Sequence, residues 1–599
     1  MNKENWFLRR EGTDKEAVEE LSRGLSVDPF ISKLLLNRGI NNVEEGRQFL
    51  FGDVNDLLDP YEMKDMRKAV EKMKEAIISE RNIMIYGDYD CDGVISTVIL
   101  NKGLKRVGAK VRYHIPHREA EGYGMNSKRV EILKSEGTEL IITCDNGIAA
   151  FEEIDLANEL GMEVILTDHH DIQLVDDENG NKIPKVPNAY AVINPKQEDC
   201  NYSFKSLCGA GIALKFIIAL YKEFGVSYEE AVKLMEFCAI ATVCDVVDLK
   251  EENRIIVKKG LELLNNSRNF GINALKKQCN ITDDVSAYHL GFVIGPCINA
   301  TGRLETANLS VELLMANDAI EAERLAKELY ELNERRKELT QENVEEVLEQ
   351  VRKEGLYNDK VIVVYNPNIH ESIAGIVAGR IKEYYNLPTI VLTKGKDMPK
   401  GSARSIEGYD MFKELSKCKN ILSKFGGHPM AAGLSLEEDN IVKLRELLNE
   451  FCELKEEDFV PKVRIDVAQP VNTLSEGLIN NISILEPFGK GNATPLLAVK
   501  SLNVCNIYEM GKERNHLKLI CKIPNSFKKI NAIGFNMMEK FREEYIEIFG
   551  EHSLENALAT GYCNFNIDLI YKPSINEFRG EKNIQLEIKH FRFKENKEC

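Results

Sequence analysis

The sequence predicts a multidomain α/β protein: a doubly wound parallel sheet, a long connecting helix, a second α/β lobe and a C-terminal OB-like β-barrel. Three observations carry this. From residue 83, apolar runs that end in polar clusters alternate with helical stretches, the interval expected of strand–helix–strand units. A charged stretch over 317–354 places Leu325, Leu329, Leu332 and Leu339 at three-, four- and seven-residue steps, the stripe of one amphipathic helix. Residues 457–599 alternate short apolar runs with polar turns and show little helical periodicity. At 599 residues the chain exceeds what one core organises, so three or four units are expected.

In chain order, residues 1–75 are charged, lack a clear strand pattern and read as short helices packing on the lobe C-terminal to them, with no chemistry of their own. Residues 76–316 form the first lobe. Its strands lie in IMIYGDYD (83–90), VRYHIP (111–116), ELIITCDNG (139–147), EVILTDHH (163–170) and AYAVINP (189–195), with helices such as 94–106 and 149–160 between them. Two largely buried helices are expected at 207–224 and 228–249, the second ending in ATVCDVVDL. The connector takes 317–355. A second lobe over 356–456 contains VIVVYNP, a helix over 372–385, PTIVLT and the glycine-rich FGGHPMAAG (425–433). The barrel over 457–599 contains LLAVKSLNVCNIY, HLKLICKI, INAIGF and IQLEIKHFRF. No internal repeat or low-complexity tract interrupts this order.

Composition narrows the function classes. No leader pattern and no apolar run approaching 18 residues occurs, so neither secretion nor membrane insertion is expected and the cytoplasm is the default compartment. Fourteen cysteines are sparse over this length and include no CxxC pair, which argues for reduced thiols over disulfides or zinc fingers. A net charge of -18 repels nucleic acid at long range, so any such contact requires a locally basic groove.

In open parallel sheets, ligands bind where strands end and the chain turns into the next helix. Four acidic clusters fall at such ends: Asp88, Asp90 and Asp92 in GDYDCDG (87–93), Asp145 with Asn146 and Gly147, Asp168-His169-His170, and Asp245 after the apolar helix. One Asp at a strand end is ordinarily a turn former or an N-cap. Four clusters at one sheet end are different, because converging carboxylates raise one another's pKa unless cations intervene. An oxygen-rich set with one or two imidazoles suits Mn²⁺ or Mg²⁺, as two ions that activate water and clamp a phosphoryl group. Cys91, Cys144 and Cys244 each adjoin one of these acids, but alternation turns them away, as small buried side chains.

The ordered set GDYDCDG, CDNG, TDHH and CDVVD resembles the four motifs of the DHH phosphoesterase superfamily. IPHREAEGYG (115–124), GPCINATGRL (295–304), GSARSIEGYD (401–410), FGGHPMAAG and LEPFGKGN (485–492) resemble the RecJ family of single-strand-specific 5′→3′ DNA exonucleases. NEFRGEKNIQLEI (576–588) resembles the last strands of that family's OB domain. The resemblance implies a DHH-type first lobe and a DHHA1-type second lobe. It implies one metal on Asp92, Asp145, His169 and Asp245, and a second on Asp90 with Asp145 and Asp245 shared. Asp88 completes the second site or orients a water, and His170 faces the scissile phosphate or assists proton transfer. Arg118, Arg303, Ser402 and Arg404 correspond to a pocket for a 5′-terminal phosphate, where guanidinium forks bind bidentately. Gly426, Gly427 and His428 correspond to a substrate-binding loop. The chain departs from the pattern at Cys297, where the family usually has arginine, and at Glu371 and Ser372.

The expected function is metal-dependent hydrolysis of single-stranded DNA from the 5′ end, releasing mononucleotides in DNA repair and recombination. The resemblance implies a monomer that works with a single-stranded-DNA-binding protein and a helicase. Two alternatives stand beside it. Another DHH phosphodiesterase, acting on short oligonucleotides or cyclic dinucleotides, would need no third domain. A non-catalytic DNA-binding scaffold of the Cdc45 kind would have lost metal residues, and here every acidic motif is intact.

Overall fold

The structure, a computed structural model, describes residues 4–10, 14–176, 181–578 and 580–593. It forms two compact units: residues 53–459 with 489–491, and a second made of residues up to 52 together with 460–488 and those from 492 onward.

The first unit contains a five-stranded parallel sheet in the order Val111–His114, Ile83–Tyr86, Leu140–Thr143, Glu163–Thr167, Ala191–Ile193. Its strands are continuous apolar runs because both faces are covered. Ile83, Ile85, Leu140, Ile142 and Ile165 enter one core, and the alternating Met84, Tyr86, Ile141, Val164 and Leu166 enter another. The chain leaves Ile83–Tyr86 to one side, then crosses to Leu140–Thr143 on the other. This makes a topological switch point from which Asp88 and Asp145 emerge side by side.

The helix expected over 228–249 is two, Tyr228–Val232 and Met235–Cys244. The second ends at Asp245 because Val246 adopts a left-handed backbone, φ 57°, which a β-branched residue rarely does. The connector is a 35-residue helix, Ala319–Lys353, capped by the Asp318 carboxylate on the Ile320 and Glu321 amides. Its apolar stripe serves two cores: Leu325 and Leu329 pack on the parallel-sheet lobe, Val347 and Val351 on the second lobe. That lobe is a mixed sheet ordered Lys424–His428, Ala431–Ser435, Lys400–Arg404, Thr389–Thr393, Ile362–Tyr365, with helix Glu371–Tyr385 against it.

In the other unit, Leu497–Met510, His516–Lys522, Lys529–Gly534, Glu581–Phe593 and Tyr562–Phe578 pair in a ring that closes through 497–510 and 562–578. Two features depart from the sequence reading. The chain inserts helices Met538–Phe549 and Glu551–Thr560 where little helix was expected. Phe541, Tyr545 and Phe549, at four-residue steps, pack on Phe565 and Phe593 of the barrel as one helix face. The second departure concerns the N-terminus. Leu21, Ile31, Leu34 and Leu35 share a core with Leu497, Leu519 and Ile567, and Asn5–Leu8 pairs in parallel with Lys462–Ile465. Residues beyond 52, such as Leu57, Leu58 and Met66, pack on the adjoining parallel-sheet lobe. Arg579 of the NEFRG motif lies outside the described residues.

A candidate metal centre and a cavity lined by basic residues

Three loops at strand ends and one helix end bring the acids together. After Tyr86, Asp88 is 1% exposed, and Asp90 caps helix Cys91–Arg106, its Oδ1 accepting from the Asp92 and Gly93 amides at 2.9 and 3.0 Å. The extended run that would have put Asp88, Asp90 and Asp92 on one face therefore ends at Asp90, and Asp92 reaches the site from the first helical turn. Cys91 turns into the apolar core for the same helical reason, and Cys144 is equally buried there. Asp92 accepts from the Gly209 and Ala210 amides at 2.6 and 2.8 Å, the N-terminus of helix Gly209–Phe224. A Cβ on Gly209 would stand 2.7 Å from Asp145 Cβ, so only glycine lets that helix end approach two of the acids. Asp145 itself is left-handed, φ 61°, and Asn146 ties its loop down by donating to the Tyr86 and Cys144 carbonyls at 3.1 and 2.9 Å.

The side chains converge in overlapping groups. One ligand atom each from Asp92, His169 and Asp245 lie within 4.8 Å of one another, as do those of Asp88, Asp90 and Asp145, and those of Asp145, His169 and His170. His169 Nε2 is 3.0 Å from Asp145 Oδ1 and 3.7 Å from Asp92 Oδ2, and its Nδ1 is 3.8 Å from Asp245. Asp88 thus groups with Asp90 and Asp145, and Asp245 with Asp92 and His169. No thiol joins these groups among the described residues.

Burial, then the neighbouring Asp90, pushes Asp88 up, and the same two causes bring Asp92 to about 6. Burial and Asp92 raise Asp145, and raise Asp245 to about 8. Both Asp88 oxygens are buried with no hydrogen-bond partner, and Asp145 Oδ1 is buried beside the His169 ring. Orphaned carboxylate oxygens with one central imidazole are the donor set of hard divalent cations such as Mg²⁺ or Mn²⁺, and the residues fit two of them.

The two imidazoles divide in role. Burial, followed by the adjacent His170, brings His169 down to about 3, leaving a neutral ring suited to a metal. Burial opposes protonation of His170 too, but its hydrogen bond to Asp168 overrides this and raises it to about 9. Asp168 Oδ1 takes the His170 ring at 2.7 Å and both histidine amides at 2.7 and 3.1 Å, while its Oδ2 takes the Ile148 amide at 2.9 Å. The far ring nitrogen of His170 lies 3.2 Å from Tyr123 Oη.

Part of the phosphate-binding set meets at a cavity of about 390 Å³, whose lining does not include Arg303 or Arg404. Arg118, Ser402 and Gly426 line it, together with Lys400, Lys424 and Glu371. Arg404 shares a strand face with Ser402 against helix Glu371–Tyr385, where a Cβ on Gly375 would stand 2.8 Å from its guanidinium. Arg303 is half-buried and donates to the Ser372 carbonyl at 2.6 Å; desolvation and the nearby Arg118 hold it at about 10. Gly427 and His428 lie outside the cavity lining, with His428 exposed opposite Ala431, the strand neighbour of Arg404. Cys297 faces Asn333 and Cys279 rather than the cavity, and Arg336 adds a guanidinium near Arg303.

The chain matches three family models: the DHH family N-terminal domain over 82–242, the DHHA1 domain over 358–454 and the RecJ OB domain over 465–590. It is 37% identical to the single-stranded-DNA-specific exonuclease RecJ of Bacillus subtilis, over 98% of this chain and 71% of that one. The chain belongs to the RecJ family. It is 31% identical to the Escherichia coli RecJ exonuclease over 96% of this chain and 97% of that one. The crystal structure of Thermus thermophilus RecJ in complex with Mn²⁺ matches with a TM-score of 0.80 at 26% identity, covering 99% of this chain and 80% of that one.

Several residues of this RecJ centre carry no site role in the sequence reading: Asp168, Tyr123, Gly209, Gly375, Lys400 and Lys424. Asp168 is visible in the DHH triplet, but its role depends on the Ile148 amide and the turn of His170. The two lysines give no signal among 78 basic residues.

Proposed function

We propose that this RecJ family member is a metal-dependent exonuclease that hydrolyses single-stranded DNA from its 5′ end and releases mononucleotides. The supporting observation is that the acidic cluster and the arginines share one segment. Tyr89, between Asp88 and Asp90, lies under the Arg118 guanidinium at 5.1 Å, and its carbonyl packs so closely on Gly302 that no side chain fits there, next to Arg303. A terminal phosphate held by the arginines would lie within reach of the carboxylates, whereas continuous backbone offers no such group.

We assign Asp92, Asp145, His169 and Asp245 to one Mn²⁺ or Mg²⁺ and Asp88, Asp90 and Asp145 to another. When bound, such ions neutralise the acids, activate water and stabilise charge on the phosphoryl group. The remaining work falls to the chain. The helix end at Gly209 and Ala210 holds Asp92 as a carboxylate. Asp168 keeps His170 protonated at neutral pH and fixes its ring, so the nitrogen facing Tyr123 is placed to donate to a phosphate oxygen. Arg303, anchored on the Ser372 carbonyl, presents its other nitrogens to the terminal phosphate with Arg118 and Arg404. The barrel supplies a further surface for single-stranded DNA, as OB folds do. No described helix is long and apolar enough to cross a membrane. We place the enzyme in the cytoplasm, as a monomer supplied with single strands by a helicase and a single-stranded-DNA-binding protein.

The test is degradation of end-labelled oligonucleotides with Mn²⁺, comparing 5′-phosphorylated and 5′-hydroxyl single strands with blunt duplex. Mononucleotides released first from a phosphorylated 5′ end are expected. Release from the 3′ end, or equal cutting of duplex, refutes the reading.

A further inference from the structure

We propose that Cys279 and Cys297 form a peroxide-responsive thiol pair that closes to a reversible disulfide. Their sulfurs lie 3.8 Å apart. A disulfide requires about 2.05 Å, so closure asks for a shift of under ~2 Å shared between two side chains. Cys279 is well placed to move, since it comes directly after the last residue of helix Phe270–Gln278 and precedes Asn280, a left-handed turn residue. Cys297 sits in helix Gly295–Leu304, where it receives the Asn333 amide at 3.4 Å.

The pair is asymmetric in the way such chemistry needs. Cys279 is partly exposed and open to a small oxidant, whereas Cys297 is 1% exposed and reaches only its partner. The hydrogen bond from Cys297 lowers the Cys279 thiol against the opposing effect of burial, and Lys337 helps. Glu334 opposes this weakly and is itself bonded to Lys337 at 2.7 Å. Two other thiol pairs are close, Cys91 with Cys244 and Cys208 with Cys238, but each stands among carboxylates. Asp90 and Asp92 act on Cys91, and Asp92 and Asp245 act on Cys208, so both thiols are held protonated and poorly nucleophilic.

The chemistry balances with hydrogen peroxide as oxidant. The Cys279 thiolate attacks one peroxide oxygen, the O–O bond breaks, and the departing hydroxide takes a proton to become water, leaving a sulfenic acid. Cys297 sulfur then attacks Cys279 sulfur; the S–S bond forms, the S–O bond breaks, and the hydroxide leaves with the Cys297 proton as a second water. Each thiol loses one hydrogen and the peroxide is reduced by two electrons. The bond would staple helix Gly295–Leu304, which carries Asn299 and Arg303, to the end of its neighbour. Asn299 accepts the Cys91 amide at 2.9 Å beside the acidic loop.

The experiment treats the full chain with millimolar hydrogen peroxide, blocks free thiols with N-ethylmaleimide and maps peptides by mass spectrometry. The expected product is one cross-linked pair holding Cys279 and Cys297, lighter by two hydrogens and lost on treatment with dithiothreitol. Cys279→Ser should abolish it, and Cys297→Ala should leave Cys279 trapped as a sulfenic acid that dimedone labels. If both cysteines are alkylated after peroxide treatment of the unaltered protein, or if Cys91–Cys244 or Cys208–Cys238 forms instead, the proposal falls. The readout is independent of nuclease activity.

Discussion

Asp88→Asn should act in opposite directions with and without metal. Asp88 is 1% exposed, neither oxygen has a hydrogen-bond partner, and Asp90 adds like charge. Burial and the Asp90 charge hold the Asp88 carboxyl above its ordinary pKa, so at neutral pH the fold is penalised for keeping it there. The amide removes that cost and leaves unpaired polar atoms worth about 1–3 kcal/mol. In EDTA the variant should therefore be the more stable, seen as an upward shift in Tm. With Mn²⁺ the order reverses, since the variant lacks a ligand and its metal-induced shift shrinks. The sign also appears in pH. Carboxyls raised by the fold contribute fully below an unfolded pKa near 4 and lose that contribution as pH climbs. With Asp92 at about 6 and Asp245 at about 8, the unaltered protein in EDTA should lose stability from pH 4 to 8. Thermal melts followed by circular dichroism, with EDTA or Mn²⁺ across that range, test this. A lower Tm for Asp88→Asn in EDTA, or an undiminished Mn²⁺ response, would refute a cation-binding role for Asp88.

The geometry leads to three further outcomes. Asp168→Asn removes the partner that holds His170 at about 9, so the alkaline limb of the kcat profile should fall by about 2 pH units while KM holds. Gly375→Ala puts a methyl 2.8 Å from the Arg404 guanidinium; KM for 5′-phosphorylated single strands should rise ~10-fold, with 5′-hydroxyl substrate little changed. Despite a net charge of -18, KM should climb at least ~10-fold between 50 and 200 mM salt, because binding rests on local arginines and lysines releasing counterions. A flat salt response in steady-state assays would contradict a phosphate-tracking groove.

What the sequence disclosed was mostly local. Strands buried on both faces are unbroken apolar runs, so Ile83–Tyr86 and Leu140–Thr143 stood out, and with them the acids at their ends. The connector announced itself through leucine spacing. Pairings set by distant chain left no trace: nothing near Asn5 points to Lys462, and nothing near Leu34 points to Leu519. The aromatic helix at 538–549 carries helical spacing, Phe541, Tyr545 and Phe549 at four-residue steps, and the strand-rich text around it outweighed that signal. At the site, residue types were readable but geometry was not. The pairing of Asp88 with Asp145 depends on which strands neighbour each other, and the roles of Asp168 and Gly209 depend on partners 20 and about 64 residues distant.

The shared core of the first and last segments bears on how the chain is made. Val18, Leu21, Leu34 and Leu35 leave the ribosome well before the barrel residues that cover them, with about 400 residues between. At roughly 5–20 residues per second, that apolar surface waits about 20–80 s for its partner. During that wait the intervening lobes can complete their own cores. Nascent protein is therefore most vulnerable to aggregation and chaperone capture at its amino-terminal helices, and a ribosome stalled late in the message would release a folded central unit trailing an uncovered hydrophobic head.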